Sequence, residues 1–127
     1  MGIGRGNTAK NTGDEGEEIA SNHLESLGFK IASRNVSYKT GEIDIIAWKG
    51  EEIHFVEVKT RKMGSLIEPI EAVTEQKRKK IKRTAEVYLS DFKNGFDDRK
   101  LPTCCFDVLT VNMNSSPPKV DCYFEVF

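Results

Sequence analysis

The chain has 127 residues, of which 31% are charged and 38% are hydrophobic, as is ordinary for one globular domain. Its net charge of −1 excludes a general electrostatic attraction to nucleic acid, so any such binding requires a local basic patch. The three cysteines, Cys104, Cys105 and Cys122, match neither a disulfide framework nor a zinc-ligand spacing. We therefore expect reduced thiols in a cytoplasmic protein, with no signal peptide and no contact with a membrane.

The first residues are rich in glycine and polar side chains, a composition that predicts a flexible tail over residues 1–12. The remaining residues, 13–127, are expected to form one domain. Outside a central hairpin, strands are predicted for three segments: 29–37, 104–111 and 120–127. Together with two helices, this order of elements predicts an α/β three-layer sandwich, in which helices flank a mixed β-sheet.

A first helix is predicted from Gly13 to Leu27, with Thr12 or Asp14 as its cap. The apolar residues that share one face of this helix are Ala20, Leu24 and Leu27. One turn earlier the same face carries Glu17, which would then point toward the sheet. An acid near a helix N-terminus also stabilises the helix dipole, and the spacing alone supports the two roles of Glu17 equally.

The central hairpin runs from Gly41 to Arg61, and both of its strands alternate in side-chain character. Gly50 can adopt a positive φ, as a short hairpin connection requires. The residues predicted to share one face of the first strand are Glu42, Asp44, Ile46 and Trp48, with Ile43, Ile45 and Ala47 on the other. A two-residue loop at Gly50 and Glu51 predicts four cross-strand pairs on one face: Trp48–Ile53, Ile46–Phe55, Asp44–Glu57 and Glu42–Lys59.

The predicted pair of Asp44 and Glu57 brings two carboxylates together in a largely apolar sheet. At about 5 Å such groups repel by about 3 kcal/mol at an effective dielectric near 20. Either a structural ion-pair cluster with Lys59 and Arg61 or a bound divalent cation would relieve this repulsion. We interpret the cluster as a metal site, because like charges directly opposite each other weaken a sheet.

In this interpretation, Asp44 and Glu57 bind Mg²⁺ or Mn²⁺ through carboxylate oxygens, and the backbone carbonyl of Val58 adds a ligand. Lys59, on the same face as Glu57, would orient a water nucleophile and compensate the negative charge that develops on a phosphate. The chemistry that suits these groups is hydrolysis of a phosphodiester.

Gly64 and Pro69 predict an irregular segment after the hairpin, before a second helix from Thr74 to Leu89. The inner face of this helix is predicted to consist of Ile81, Thr84, Ala85 and Tyr88. Lys77 continues this face by one turn, within the most basic run of the chain, and the outward lysines could contact phosphates. In the strand that follows, we interpret Asp107 as a structural acid.

The hairpin acids belong to a wider set of motifs: Gly16-Glu17, Ala20, Gly28-Phe29, Arg34-Asn35, GEIDIIA at 41–47, FVEVKTR at 55–61, Pro69, Ala72-Val73, Lys77 and Phe106-Asp107-Val108. With these motifs the chain resembles the bacterial YraN family (UPF0102) over roughly residues 13–111. Within the PD-(D/E)xK nuclease superfamily it is similar, more distantly, to archaeal Holliday-junction resolvases, which have a helix Glu, a strand Asp and a Glu-x-Lys in this order.

The resemblance implies a restriction-endonuclease-like fold, places Glu17 on the metal side of the site and places Lys77 near substrate. We assign substrate-binding roles to Glu42, Arg61, Gln76 and Lys77. Family members usually carry Arg at the position of Cys105, so an ion pair or phosphate contact is expected to be missing there.

The resemblance therefore implies a Mg²⁺- or Mn²⁺-dependent endonuclease that acts on DNA. Branched DNA is one candidate substrate, for which a homodimer would supply two symmetric nicks. Two alternatives remain open. One is a nucleic-acid-binding protein that keeps the fold without catalysis. The other is an interaction module in which the acids form an ion-pair network.

Overall fold

The computed structural model describes residues 8–61, 73–91 and 102–127. The elements in chain order are α1 (Thr8–Ser26), β1 (Lys30–Tyr38), β2 (Gly41–Lys49), β3 (Glu52–Arg61), α2 (Glu75–Asp91), β4 (Thr103–Asn112) and β5 (Lys119–Tyr123). Neither helix is long and apolar enough to cross a membrane, among the residues described. The irregular segment predicted around Gly64 and Pro69 lies outside these ranges.

The five strands form one sheet in the order β1-β2-β3-β4-β5. Neighbouring strands are antiparallel except β3 and β4, which are parallel and are connected through α2. One face carries the α1-side core: Ala20, Leu24, Phe29, Ile45, Ala47, Val56, Leu109 and Val111. The other carries the α2-side core: Ile43, Ile46, Ile53, Phe55, Ile81, Ala85 and Tyr88. The predicted α/β three-layer sandwich with a mixed sheet is thus confirmed.

The hairpin register is confirmed next to the turn. Gly50 has a φ of 63°, and the predicted pairs Trp48–Ile53 and Ile46–Phe55 are present. The β2–β3 ladder ends at the pair Ile45–Val56. The predicted ladder pairs Asp44–Glu57 and Glu42–Lys59 are therefore wrong, because the two strands stop pairing before they reach these residues.

The predicted alternation on β2 is also wrong at its first residues. Ile43 packs in the α2-side core whereas Ile45 packs in the α1-side core, although residues two apart on a regular strand share a face. On β1, Arg34 likewise contacts α1 while Val36 packs in the α2-side core. The two interruptions coincide, since Asn35 has a left-handed φ of 54° and lies between the pairs Arg34–Ile45 and Val36–Ile43.

Helix α1 begins at Thr8, five residues earlier than predicted, so neither Thr12 nor Asp14 is its cap. Gly13 is accommodated inside the helix, at a cost of about 1 kcal/mol that further helical hydrogen bonds can offset. Residues 8–12 are therefore helical rather than part of a tail, whereas residues 1–7 lie outside the described ranges. Leu27 was placed on the buried face but is 41% exposed, because the helix ends at Ser26.

The second helix follows the prediction closely. The Lys77 amide donates to the Thr74 hydroxyl at 3.2 Å, which confirms Thr74 as the cap. All four residues predicted for its inner face are buried: Ile81, Thr84, Ala85 and Tyr88. Strand β5 is shorter than predicted, because it ends at Tyr123 and a turn follows in which Glu125 has a φ of 53°.

Helix α1 crosses β3 closely at Gly16, which is buried against Thr60. A Cβ atom at position 16 would overlap the Thr60 hydroxyl oxygen. This contact holds the first turns of α1 against the part of β3 that carries Glu57 and Lys59.

We predict that Gly16→Ala lowers the free energy of unfolding by about 1–3 kcal/mol, because the added methyl group overpacks the α1–β3 contact. Urea denaturation measures this change, with Asn22→Ala on the exposed face of α1 as the control. In a Thr60→Ala background, where the overlapping hydroxyl is absent, the cost of Gly16→Ala should largely disappear. An equal cost in both backgrounds would contradict the steric account.

Candidate metal centre

Asp44 lies where the β2–β3 ladder has ended, and its carboxylate takes the place of a ladder partner. Asp44 Oδ2 accepts a hydrogen bond from the backbone amide of Val58 at 2.8 Å. The side chain therefore points across the gap toward β3 rather than into either core. The contact of Val58 with Asp44 is thus made through its backbone amide.

Glu57 is 6% exposed, and its carboxylate contacts two ammonium groups. Glu57 Oε2 lies 2.6 Å from Lys77 Nζ and 3.3 Å from Lys59 Nζ. Burial lowers the pKa of Lys77, but the hydrogen bond and charge of Glu57 outweigh this effect and raise it above its usual value. Lys77 therefore points toward the site, as predicted. Together with Lys59 it compensates the negative charge of Glu57, a role that the ion-pair alternative assigned to Lys59 and Arg61.

Glu17 lies on the site side of α1. Burial raises its pKa, as does the charge of Glu57, whereas a hydrogen bond from the Asn35 side chain and the charge of Arg34 lower it. Its Oε1 atom is buried and has no hydrogen-bond partner among the described residues. A buried carboxylate oxygen without a partner is costly, and it is available as a ligand.

The three acids crowd one another electrostatically. Burial and the charges of Glu57 and Glu17 raise the pKa of Asp44 to about 7, against the lowering effects of the Val58 amide and Lys77. Mg²⁺ and Mn²⁺ prefer hard oxygen ligands such as carboxylates. Asp44, Glu57 and Glu17 therefore fit a divalent cation, which would also relieve the repulsion between their charges. Both ammonium groups contact Oε2, so a metal that binds this oxygen of Glu57 has to displace Lys77.

The remaining predicted site residues are Glu42, Arg61 and Gln76. Glu42 is exposed and lies outside the β2–β3 ladder, so its predicted pairing with Lys59 is not formed. Arg61 is half-buried at the end of β3, where it pairs with Asn112 of β4. Gln76 is exposed on the first turn of α2, next to Lys77.

A groove of about 740 Å³ runs along α2, and we call it the α2 groove. The residues that line it are Lys39, Thr40, Gln76, Lys79, Lys80, Lys82, Arg83 and Glu86. A smaller cavity of about 240 Å³ shares Gln76 and Lys80 with it and adds Lys77 and Thr74. A basic surface therefore continues from the ammonium group on Glu57 to the middle of α2.

Two features of this region were missed by the sequence analysis. The first is the role of Asn35, whose side chain bonds Glu17 from a left-handed backbone conformation. An asparagine inside a strand was the available signal, because asparagine tolerates that conformation. The second is the hydrogen bond of 2.6 Å between His54 and Asp107, whose ladder pairs, His54–Cys105 and Val56–Asp107, are two residues apart on one face of the parallel β3–β4 ladder. Asp107 also accepts from the backbone amide of Glu125, as its predicted structural role requires.

The comparison with known sequences gives a family. The profile of the uncharacterised protein family UPF0102 matches residues 16–111, which include all three acids of the site. The chain belongs to this family. It is 46% identical over 99 residues to a UPF0102 protein of Chlorobaculum tepidum, covering 78% of this chain and 73% of the relative.

Two other relatives cover more of their own length. A UPF0102 protein of Symbiobacterium thermophilum is 39% identical over 103 residues, covering 81% of this chain and 83% of the relative. A UPF0102 protein of Alkaliphilus oremlandii is 38% identical over 112 residues, covering 88% of this chain and 93% of the relative. The family name assigns no activity, so function has to be argued from the site.

We predict that Asp44→Asn raises the free energy of unfolding by about 1 kcal/mol in metal-free buffer, because it removes a charge from a crowded acidic site. The asparagine side-chain oxygen can still accept from the Val58 amide. Thermal denaturation with EDTA measures the change, with Glu42→Gln, an exposed acid of the same strand, as the control. A loss of stability in Asp44→Asn alone would instead support a structural ion-pair network.

Proposed function

We propose that this protein is a divalent-metal-dependent endonuclease of the PD-(D/E)xK type that hydrolyses DNA phosphodiesters. The observation that carries the proposal is the approach of Asp44 and Glu17 to Glu57 where the β2–β3 ladder ends. A fold gains no stability from three carboxylates whose charges oppose one another, so their placement is best explained by a cation.

In this proposal Asp44, Glu57 and Glu17 hold Mg²⁺ or Mn²⁺, with the Val58 carbonyl as a further ligand. A metal held by these residues would supply the polarisation of a phosphoryl oxygen and the lowered pKa of a coordinated water. Lys59 remains beside Glu57, where its ammonium group orients the attacking water and compensates the charge that develops on the phosphate. Lys77, released from Glu57, contacts the phosphate backbone.

The α2 groove is the surface that we assign to DNA. Its lysine and arginine side chains continue from Lys77, so one DNA strand could pass from the metal site along α2. Because the chain as a whole has a net charge of −1, this local patch supplies the attraction that its composition lacks. Gln76 lines this groove, and we assign Arg61, at the end of β3, to the same substrate contact. Branched DNA and a homodimeric enzyme remain part of the proposal.

The 2.6 Å contact between Lys77 and Glu57 supports a second candidate function. An ammonium group already compensates the acid to which the metal must bind. A protein in which this ion pair persists would bind nucleic acid through the α2 groove without cleaving it.

We predict that the wild-type protein cleaves branched DNA in the presence of Mn²⁺, and that Asp44→Asn and Lys59→Met each lower the rate at least about 100-fold. Asp121→Asn, a partly exposed acid of β5, serves as the control and should keep the wild-type rate. Binding of Mn²⁺, measured by calorimetry on the same samples, should be lost in Asp44→Asn. Binding of DNA without cleavage by the wild type, unchanged by metal, would establish the second candidate function.

We predict that the double variant Lys79→Ala and Arg83→Ala weakens DNA binding and lowers the slope of log affinity against log salt concentration by about 2. Fluorescence anisotropy over a series of salt concentrations measures this slope. The matched control is Lys30→Ala with Lys119→Ala, which removes the same charge from exposed strand positions. An equal effect of both pairs would show that the α2 groove is not the DNA-binding surface.

A further inference from the structure

A second group of ligand-type side chains lies where β3 and β4 begin, on the side of the sheet that α1 covers. Glu52, His54 and Cys105 bring a carboxylate oxygen, an imidazole nitrogen and a thiol sulfur within 4.8 Å of one another. His54 and Cys105 are paired in the parallel β3–β4 ladder, and both are buried. This group shares no residue with the acidic site: His54 packs edge-on against Phe29 of the α1-side core, whereas Glu57 contacts Lys77 of α2.

The histidine of this group is held in a fixed orientation. Asp107, fully buried, lies 2.6 Å from His54 Nδ1 through Oδ2, while its Oδ1 atom accepts from the Glu125 amide. His54 Nε2 therefore points away from Asp107 and toward Glu52, at 3.1 Å. A carboxylate that bonds one ring nitrogen, while the other faces a second ligand, is the usual support of a metal-binding histidine.

The group of Glu52, His54 and Cys105 has negatively charged surroundings and lies beside a cavity. A cavity of about 350 Å³ reaches Glu52, His54 and Glu125, with the stacked rings of Phe29 and Phe124 at its wall. Three carboxylates, those of Glu52, Asp107 and Glu125, surround the thiol, whereas Lys49 is the lysine that lines this cavity. This imbalance of charge favours a bound cation.

The alternative chemistry for Cys105 is that of a nucleophile beside His54 and Asp107. Burial, together with the charges of Glu52 and Glu125, raises the pKa of the Cys105 thiol to about 11. A thiol in such surroundings is not reactive as a thiolate. Its sulfur is nevertheless placed beside a nitrogen and an oxygen ligand, which is a donor set that zinc accepts.

We infer that Glu52, His54 and Cys105 bind a borderline-soft divalent transition metal such as Zn²⁺, with Asp107 as the positioning residue. The fourth position faces the cavity and is available to water or to Glu125. Tetrahedral ligands about 2.0–2.3 Å from Zn²⁺ lie about 3.3–3.7 Å apart. The Glu52 oxygen and His54 Nε2 are already 3.1 Å apart, so only the most distant of the three atoms, within 4.8 Å, need to close by about 1 Å. Metal binding releases two protons to solvent, one from the Cys105 thiol and one from His54 Nε2, whose hydrogen bond to Glu52 is replaced by the bond to the metal. This site is independent of the proposed nuclease centre, whose ligands are all oxygens.

The test uses Co²⁺ as a spectroscopic substitute for Zn²⁺, added to the full-length protein in a phosphine reductant. We expect a thiolate-to-cobalt charge-transfer band that saturates at one equivalent and disappears when Zn²⁺ is added. The band should be unchanged in Cys104→Ser, the exposed neighbouring cysteine, and absent in Cys105→Ser. It should also persist in Asp44→Asn, which separates this inference from the proposed nuclease function.

Glu52→Gln provides a variant that does not alter the core, because the Glu52 side chain is about half exposed. We expect it to weaken Co²⁺ binding at least about 10-fold while circular dichroism shows an unchanged fold. The inference is overturned if the wild-type protein gives no charge-transfer band. It is equally overturned if the band survives in Cys105→Ser, is lost in Cys104→Ser, or is as strong in Glu52→Gln as in the wild type.

Discussion

The arrangement of the candidate metal centre depends on the end of the β2–β3 ladder at Ile45 and Val56. Beyond this pair, Asp44 bonds the Val58 amide with its side chain, so a backbone donor that a longer hairpin would use is satisfied by a carboxylate. The left-handed Asn35 interrupts β1 at the same level and bonds Glu17. Because both strands are interrupted at this level, the carboxylates of Asp44, Glu57 and Glu17 come close enough for their charges to affect one another.

The parts of the fold that follow from local chemistry were predictable from the sequence. Gly50 determined the hairpin turn, and the register next to it could then be counted. Thr74 and the helical spacing after it determined the start and the inner face of α2. The start of α1 was predicted too late, because Gly13 looked like a boundary although helical hydrogen bonds continue through it. The change of face at Ile43 could not be predicted, since it depends on how β1 and β2 are interrupted together.

The sequence indicated which acids lie at the candidate site but not how their charges are balanced. Asp44 and Glu57 were expected together because they belong to one hairpin, although the ladder pair counted for them is not formed. The ion pair of Glu57 with Lys77 joins β3 to α2, and sequence periodicity gave only the direction of Lys77. The cluster of His54 and Cys105 was not predicted at all. Its ligands come from two parallel strands, and their register is determined by a connection that includes α2.

The central claim is that the acidic site binds a divalent metal in exchange for the ammonium group on Glu57. Crystals grown with and without Mn²⁺, with data collected at a wavelength where Mn²⁺ scatters anomalously, test this claim most directly. We expect an anomalous peak at bonding distance from the carboxylates of Asp44 and Glu57. In the metal-bound crystals alone, Lys77 Nζ should be displaced from its 2.6 Å contact with Glu57. A Lys77–Glu57 ion pair that persists in millimolar Mn²⁺, with no anomalous peak beside Asp44, would contradict this claim.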